Sequence, residues 1–163
     1  MKLLTNVQAK RLDRIALKKH SRTGYSLMKN AGRCVFNIAI SLLKKVQNPE
    51  ILVICGKGNN GGDGFAVASI LKENNYNVSI HTLIPEEEIS GEGLKYFLEC
   101  KKKGVLISFC LEMQNKRSPD LIIDGLFGTG LSRAISPEVI EYCLLYTSPS
   151  PRDLSTSRMP SSA

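Results

Sequence analysis

The sequence predicts an α/β protein with a mostly parallel sheet. Three observations carry the prediction. Residues 51–55 (Ile-Leu-Val-Ile-Cys) form an unbroken β-favouring run closed by glycine, shorter β-favouring runs then alternate with helical patterns, and two glycine-rich stretches follow strands directly. Strands alternating with helices imply right-handed βαβ crossovers. The expected architecture is a Rossmann-like three-layer sandwich with two extra helices in front, incomplete on its C-terminal side.

The elements follow in order. Thr5 and Gln8 have the spacing of a capping box, after which Ala9, Leu12, Ile15 and Ala16 mark one face of a first helix. Asp13 and that cap favour a structural helix over a mitochondrial presequence, and the apolar stretch is too short and too charged for a secretory signal. After Gly24, the residues Met28, Ala31, Val35, Ile38, Ala39, Leu42 and Val46 keep a helical period, and Pro49 ends the element because its ring cannot continue a helix. Ala31-Gly32 offers a small patch to an approaching backbone. The run at 51–55 is apolar throughout, as in a strand covered on both faces. Residues 61–75 read as a glycine-rich turn opening a helix, 77–83 as a second strand, and 91–103 as a second crossover helix closed by Gly104. Residues 105–109 and 121–124 are two further short strands.

Composition excludes several classes of partner. Lys+Arg 22 against Asp+Glu 15 gives +7, but the lysines are scattered, and their one run, 101–103, falls at a helix end where cations favour the dipole. With no Trp and no aromatic-interleaved basic stripe, no nucleic-acid partner is expected. No apolar run approaches the roughly 20 residues of a membrane helix, so no membrane span is expected. The five cysteines are widely spaced and only two histidines accompany them, which argues against zinc and against a disulfide framework. Cys34 and Cys55 read as buried small hydrophobes in a reducing compartment.

Residues 143–163 depart from this grammar, with six serines, three prolines and no period. They read as a non-homologous, disordered tail resembling translated adapter sequence, which divides the chain into a domain over 1–142 and a tail over 143–163. A helix is expected to open after Pro137, near that boundary. A sheet of only four strands is expected to leave an apolar edge and an uncovered face, and the chain on its own to be inactive and poorly folded.

The first chemical motif is Gly56-Lys57-Gly58-Asn59-Asn60-Gly61-Gly62-Asp63-Gly64, between strand and helix. Gly56, Gly58 and Gly61 match the dinucleotide G-x-G-x-x-G spacing, whose glycines let backbone N–H groups approach a ligand. An ordinary nicotinamide-binding fold also places an acidic residue at the end of the second strand. Here that place holds His81 and Thr82, with Glu86-Glu87-Glu88 beyond Pro85, and no Gly-Lys-Ser/Thr follows the turn to make a P-loop. Asp63 reads either as a helix cap in the first turn or as an acceptor and proton-transfer group, while Asn59 and Asn60 are open to left-handed turn positions. The second motif is Asp124-Gly125-Leu126-Phe127-Gly128-Thr129-Gly130-Leu131-Ser132-Arg133. Asp124 ends a strand, and open α/β sheets bind ligands at the carboxyl ends of their strands. Its alternative role is to brace the loop.

Together these stretches resemble the NAD(P)H-hydrate epimerase family, the YjeF N-terminal domain, and Leu12-Asp13 with Leu27-Met28-Lys29-Asn30-Ala31-Gly32 is similar too. The resemblance implies an isomerase that interconverts the R and S forms of hydrated NADH or NADPH, a nicotinamide-nucleotide repair activity. It implies substrate binding by Asn59, Asn60, Gly61, Gly62 and Asp63 and by Gly128, Thr129, Gly130, Leu131, Ser132, Arg133 and Ala134. It implies a potassium ion held by Asn60 and Asp124, and assigns no catalytic residue. Family members carry a later aspartate and a Pro-Ser-Gly turn that these residues do not contain. The partners implied are a second copy of the chain and a dehydratase domain, fused or separate, in the cytoplasm, or in mitochondria for a eukaryotic source. The rival reading is a non-catalytic scaffold of the same fold, which would not need both glycine motifs intact.

Overall fold

The computed structural model describes residues 5, 7–8, 11–12, 14–15, 23–109, 118–128, 131 and 134–147. These fall into two compact units, Met1–Ser132 and Arg133–Ala163. In the first unit a four-stranded sheet is built from β1 (Glu50–Cys55), β2 (Asn77–Thr82), β3 (Leu106–Ser108) and β4 (Leu121–Gly125). All neighbouring pairs are parallel, and the spatial order is β3-β2-β1-β4. The helices are α1 (Gly24–Leu42), α2 (Asn59–Glu73) and α3 (Gly91–Lys102), with α4 (Pro137–Thr147) in the second unit.

The expected capping box is present: Thr5 N–H donates to Gln8 Oε1 at 2.9 Å, and Gln8 N–H to Thr5 Oγ1 at 3.3 Å. The helix it opens is described only at residues 7–8, 11–12 and 14–15. The helix α1 begins directly after its N-cap, Thr23, whose hydroxyl accepts from Ser26 N–H. It ends at Leu42, well short of Pro49, and its inner face matches the expected one at Met28 and Ala39 and departs from it at Ile38 and Leu42. Ile38 and Leu42 are exposed, while Met28, Gly32 and Ala39 are buried. The small residues face inward because α2 crosses there: a Cβ on Gly32 would lie 3.1 Å from the Ala66 backbone. Cys34, expected inside, is exposed for the same reason, whereas Cys55 is buried.

The central helix α2 packs on α1, α3, β1, β2 and β4 and is buried on nearly every side. The sheet residues Ile51, Val53 and Val78, Ile80 meet its face, with Phe65, Leu71 and Phe97 completing the core. The opposite sheet face is covered at its centre, where Leu52 and Ile54 are inaccessible, and open at β3, where Leu106 is 69% exposed. A polar cluster ties the helices together. Tyr25 Oη donates to Glu99 Oε1 at 2.5 Å, Ser69 Oγ donates to Glu99 Oε2 at 3.1 Å, and Lys103 Nζ donates to Ser69 Oγ at 2.9 Å. Accepting from that phenol, Glu99 pushes the Tyr25 pKa up, with burial adding to it.

In the second unit α4 starts at Pro137 as expected and continues past the 142/143 boundary to Thr147. Among the described residues, no helix is long and apolar enough to cross a membrane.

Candidate functional site

In this strand order the chain moves outward from β1 to β2 and β3, then returns to add β4 on the other side of β1. The reversal lies between β1 and β4, and a crevice at the carboxyl ends of those strands is where open α/β sheets bind ligands. Both glycine motifs begin at that crevice. Cys55, the last residue of β1, pairs in register with Gly125, the last of β4. Gly56 N–H then donates to the Gly125 carbonyl at 3.2 Å, and a Cβ on Gly56 would collide with the Leu126 carbonyl. A Cβ on Gly61 would in turn collide with the Gly56 carbonyl. The two loops interlock by backbone.

The helix α2 starts at Asn59, so Asn59 and Asn60 are helical and not left-handed turn residues. The positive φ falls on Gly58, the N-cap, with φ 91° and ψ −159° and no side-chain cap. Asp63 therefore stands one turn in and does not cap the helix. Gly62 N–H donates to the Gly58 carbonyl at 3.1 Å, and the N–H groups before it belong to the helix end, an arrangement suited to anions. Asn60 reaches across the crevice: its Nδ2 donates to the Phe127 carbonyl at 2.9 Å, and a Cβ on Gly128 would sit 3.1 Å from the Asn60 Cβ. Asp124 is exposed, and its Oδ1 accepts from Leu126 N–H at 2.8 Å. The loop-bracing role foreseen for it is therefore real, and it coexists with a position on the crevice.

Asn59, Asn60, Gly61, Gly62 and Asp63 are thus brought together with Asp124 and Gly128. Leu131 closes a turn onto the Gly128 carbonyl at 3.3 Å, and its side chain is exposed. Thr129, Gly130, Ser132 and Arg133 lie outside the described residues, and Ala134 belongs to the second unit. Among the described residues no three His, Cys, Asp or Glu side chains form a metal cluster.

At the end of β2, His81 and Thr82 are both buried, so neither presents itself to a ligand. Burial pushes the His81 pKa below its ordinary value. An acidic residue nevertheless comes back to the glycine turn by a longer path. Glu86–Glu88 form a 3-10 turn, and Glu88 Oε2 lies 2.8 Å from Lys57 Nζ. A motif spacing counted from β2 misses this, because Pro85 and the 3-10 turn fold the loop back. Beyond that turn, α3 packs closely on α2: a Cβ on Gly93 would lie 3.1 Å from the Gly62 Cα. The buried thiols are inert. Burial raises Cys55 well above the usual thiol range, and Cys100, also by burial, to about 12.

Residues 24–149 match the family described as YjeF-related protein N-terminus. The bifunctional NAD(P)H-hydrate repair enzyme Nnr of Moorella thermoacetica is 36% identical over 143 residues, 82% of this chain and 27% of that protein. Its namesake in Dictyoglomus turgidum is 34% identical over 85% of this chain and 27% of its own length. The NAD(P)H-hydrate epimerase of Rhodopirellula baltica is 32% identical over 85% of this chain and 58% of its own. The chain thus spans about a quarter of the bifunctional relatives and little more than half of that epimerase. In fold it is similar to the crystal structure of yeast ynu0, with a TM-score of 0.77 over 89% of this chain and 65% of that one, at 21% identity.

Proposed function

The chain belongs to the YjeF-related protein N-terminus family, and from that membership and the interlocked loops we propose that its site serves the epimerisation of hydrated NADH and NADPH. The observation that carries the proposal is the crevice between β1 and β4, where the Asn60 amide bridges to the Phe127 carbonyl beside Gly128 and Asp124. The helix N-terminus at Asn59–Asp63 suits the dinucleotide's phosphates. In the hydrate a hydroxyl sits on a ring carbon next to nitrogen. The nitrogen lone pair assists loss of water, and re-addition to the other face inverts the centre. One acid–base group is enough, and Asp63 is the carboxylate of the helix N-terminus beside the proposed substrate.

The donor set also fits a potassium ion. The Asn60 Nδ2 hydrogen bond leaves Oδ1 as the amide's acceptor, and Asp124 adds a single carboxylate. One carboxylate and neutral oxygens suit a weakly held hard cation of low charge. When bound, the ion would supply positive charge that organises the two loops around an anionic substrate. The proposal extends to a cytoplasmic protein that works as a homodimer with a dehydratase, fused or separate, and places the domain boundary near Tyr142.

The test supplies the later segment that the resemblance calls for. Residues 143–163 are replaced by the C-terminal part of the Rhodopirellula epimerase, and the R hydrate of NADH is followed by chiral chromatography. Acceleration above the spontaneous rate is expected from the chimera and not from the chain alone. A folded chimera that leaves the spontaneous rate unchanged would sink the proposal. In the same chimera, Asp124→Ala should abolish the potassium dependence, and an unchanged potassium titration would return Asp124 to loop bracing alone.

A further inference from the structure

We propose that the cleft at the carboxyl ends of β2 and β3 seats the adenine base of the dinucleotide, with Phe109 as its stacking platform. The inference deepens the hydrate reading above and rests on it. A dinucleotide whose pyrophosphate lies at the β1 turn spreads its two halves to either side of that turn. Asn60, Asp124 and Gly128 occupy the β4 side, where the hydrated ring is placed. The other half must lie over β2 and β3.

Two contiguous depressions lie on that side. A hollow of about 20 Å³ borders Gly56, Gly58 and Glu88, and it shares Ile84 with an open cleft of about 450 Å³ lined by Leu83, Ile84, Pro85, Glu86, Glu87 and Phe109. That volume is within the roughly 300–1,000 Å³ range of small-molecule sites. Leu83, Ile84, Pro85 and Phe109 give the cleft an apolar side that suits a purine face. The two glutamates at the cleft disfavour phosphate there, which orients the nucleoside end outward and the pyrophosphate toward the turn. Lys57, 2.8 Å from Glu88, joins the two loops that border this track.

The platform is held in place before any ligand arrives. Phe109 is 46% exposed, and Phe97 holds it edge-on with ring centroids 6.2 Å apart. Phe97 is itself buried, with Lys101 Nζ 5.4 Å from its ring centroid. The same ammonium grips both Glu86 oxygens, at 2.8 and 3.0 Å. One end of the cleft is thus an accessible aromatic ring with fixed support, and aromatic faces stack on bases without regard to sequence.

Isothermal titration of the 163-residue chain tests this with two probes: the S hydrate of NADH, and the S hydrate of reduced nicotinamide mononucleotide, which lacks the adenosine half. Phe109→Ala should weaken NADH-hydrate binding about tenfold and leave the mononucleotide unchanged. Phe109→Tyr should restore wild-type binding, and Phe109→Leu, which keeps apolar volume without the π-face, should fall between. Circular dichroism confirms that each variant folds. An Ala variant that binds NADH hydrate as the wild type does overturns the inference, as does an equal loss for both probes. Wild-type binding of both probes with one affinity overturns the cleft while leaving the hydrate reading intact. Binding of neither probe by the folded wild type overturns the adenine cleft, and the rate of the chimera then decides the hydrate reading on its own.

Discussion

The two glycine loops of the crevice look alike in sequence, yet they use glycine differently. In the β1–α2 turn, Gly56 and Gly61 are required by the protein's own backbone, the first against the Leu126 carbonyl and the second against the Gly56 carbonyl. A Cβ on Gly58 would meet nothing within 4 Å, so glycine is required there only by its conformation. At the end of β4, a Cβ on Gly125 would lie 3.0 Å from the Ile54 carbonyl and 3.1 Å from that of Asn60, whereas in the loop beyond it a Cβ on Gly128 would meet the Asn60 side chain. The comparison teaches that a fingerprint usually explained by room for a ligand is here also room for the protein's own backbone, that of the second loop at Gly56 and that of the turn itself at Gly61. Ligand binding is then served indirectly, because the backbone lock fixes where Asn60 and Asp124 stand.

The largest expected effect breaks that lock. Gly61→Ala or Gly56→Ala places a methyl group into a carbonyl held by the sheet, and neither neighbour can swing aside. Each should cost at least about 3 kcal/mol. In a domain of this size that lowers Tm by roughly 10 °C, readable by calorimetry. Gly58→Ala sharpens the contrast between collision and strain. Its φ of 91° and ψ of −159° fall in a region essentially confined to glycine, so the substitution should cost about 1–3 kcal/mol with no steric neighbour involved. If Gly58→Ala proved as damaging as Gly61→Ala, the distinction between the two kinds of glycine would fail.

How much of this was legible in the sequence depends on which forces wrote it. The sheet was legible, because Ile51–Cys55 is buried on both faces and its crossovers leave alternating patterns. Both motifs were found by their spacing. The inner face of α1 was legible at Met28, Ala39 and the Gly32 patch and misjudged at Ile38 and Leu42, because close packing on α2 favours small residues and leaves those two outside, the reverse of a hydrophobicity rule. The start of α2 at Asn59 was hidden by the glycines that follow, which are poor helix formers tolerated where α1, α3 and β1 approach. The Lys57–Glu88 pair was invisible because it depends on the path of a loop and not on spacing along a strand.

The smallest effect separates the loops from the sheet beneath them. The lock is built from uncharged backbone, so the cost of Gly61→Ala should not change between pH 7 and pH 5. The sheet does titrate. His81 on β2 is buried, beside Ile54 and Ser108 in register, and burial holds its pKa below the ordinary 6.5. In the unfolded chain the imidazole recovers its ordinary value and binds a proton more readily than it does in the fold. Stability is therefore fully present above about pH 6.5 and is lost as pH falls through the lower folded value. Denaturant melts at stepped pH values should show this decline in the wild type, and His81→Gln should flatten it while Gly61→Ala only shifts the whole curve down. A wild-type slope that survives His81→Gln would assign the titration to another group, and a Gly61→Ala cost that grows on acidification would mean that the lock and the sheet are not independent.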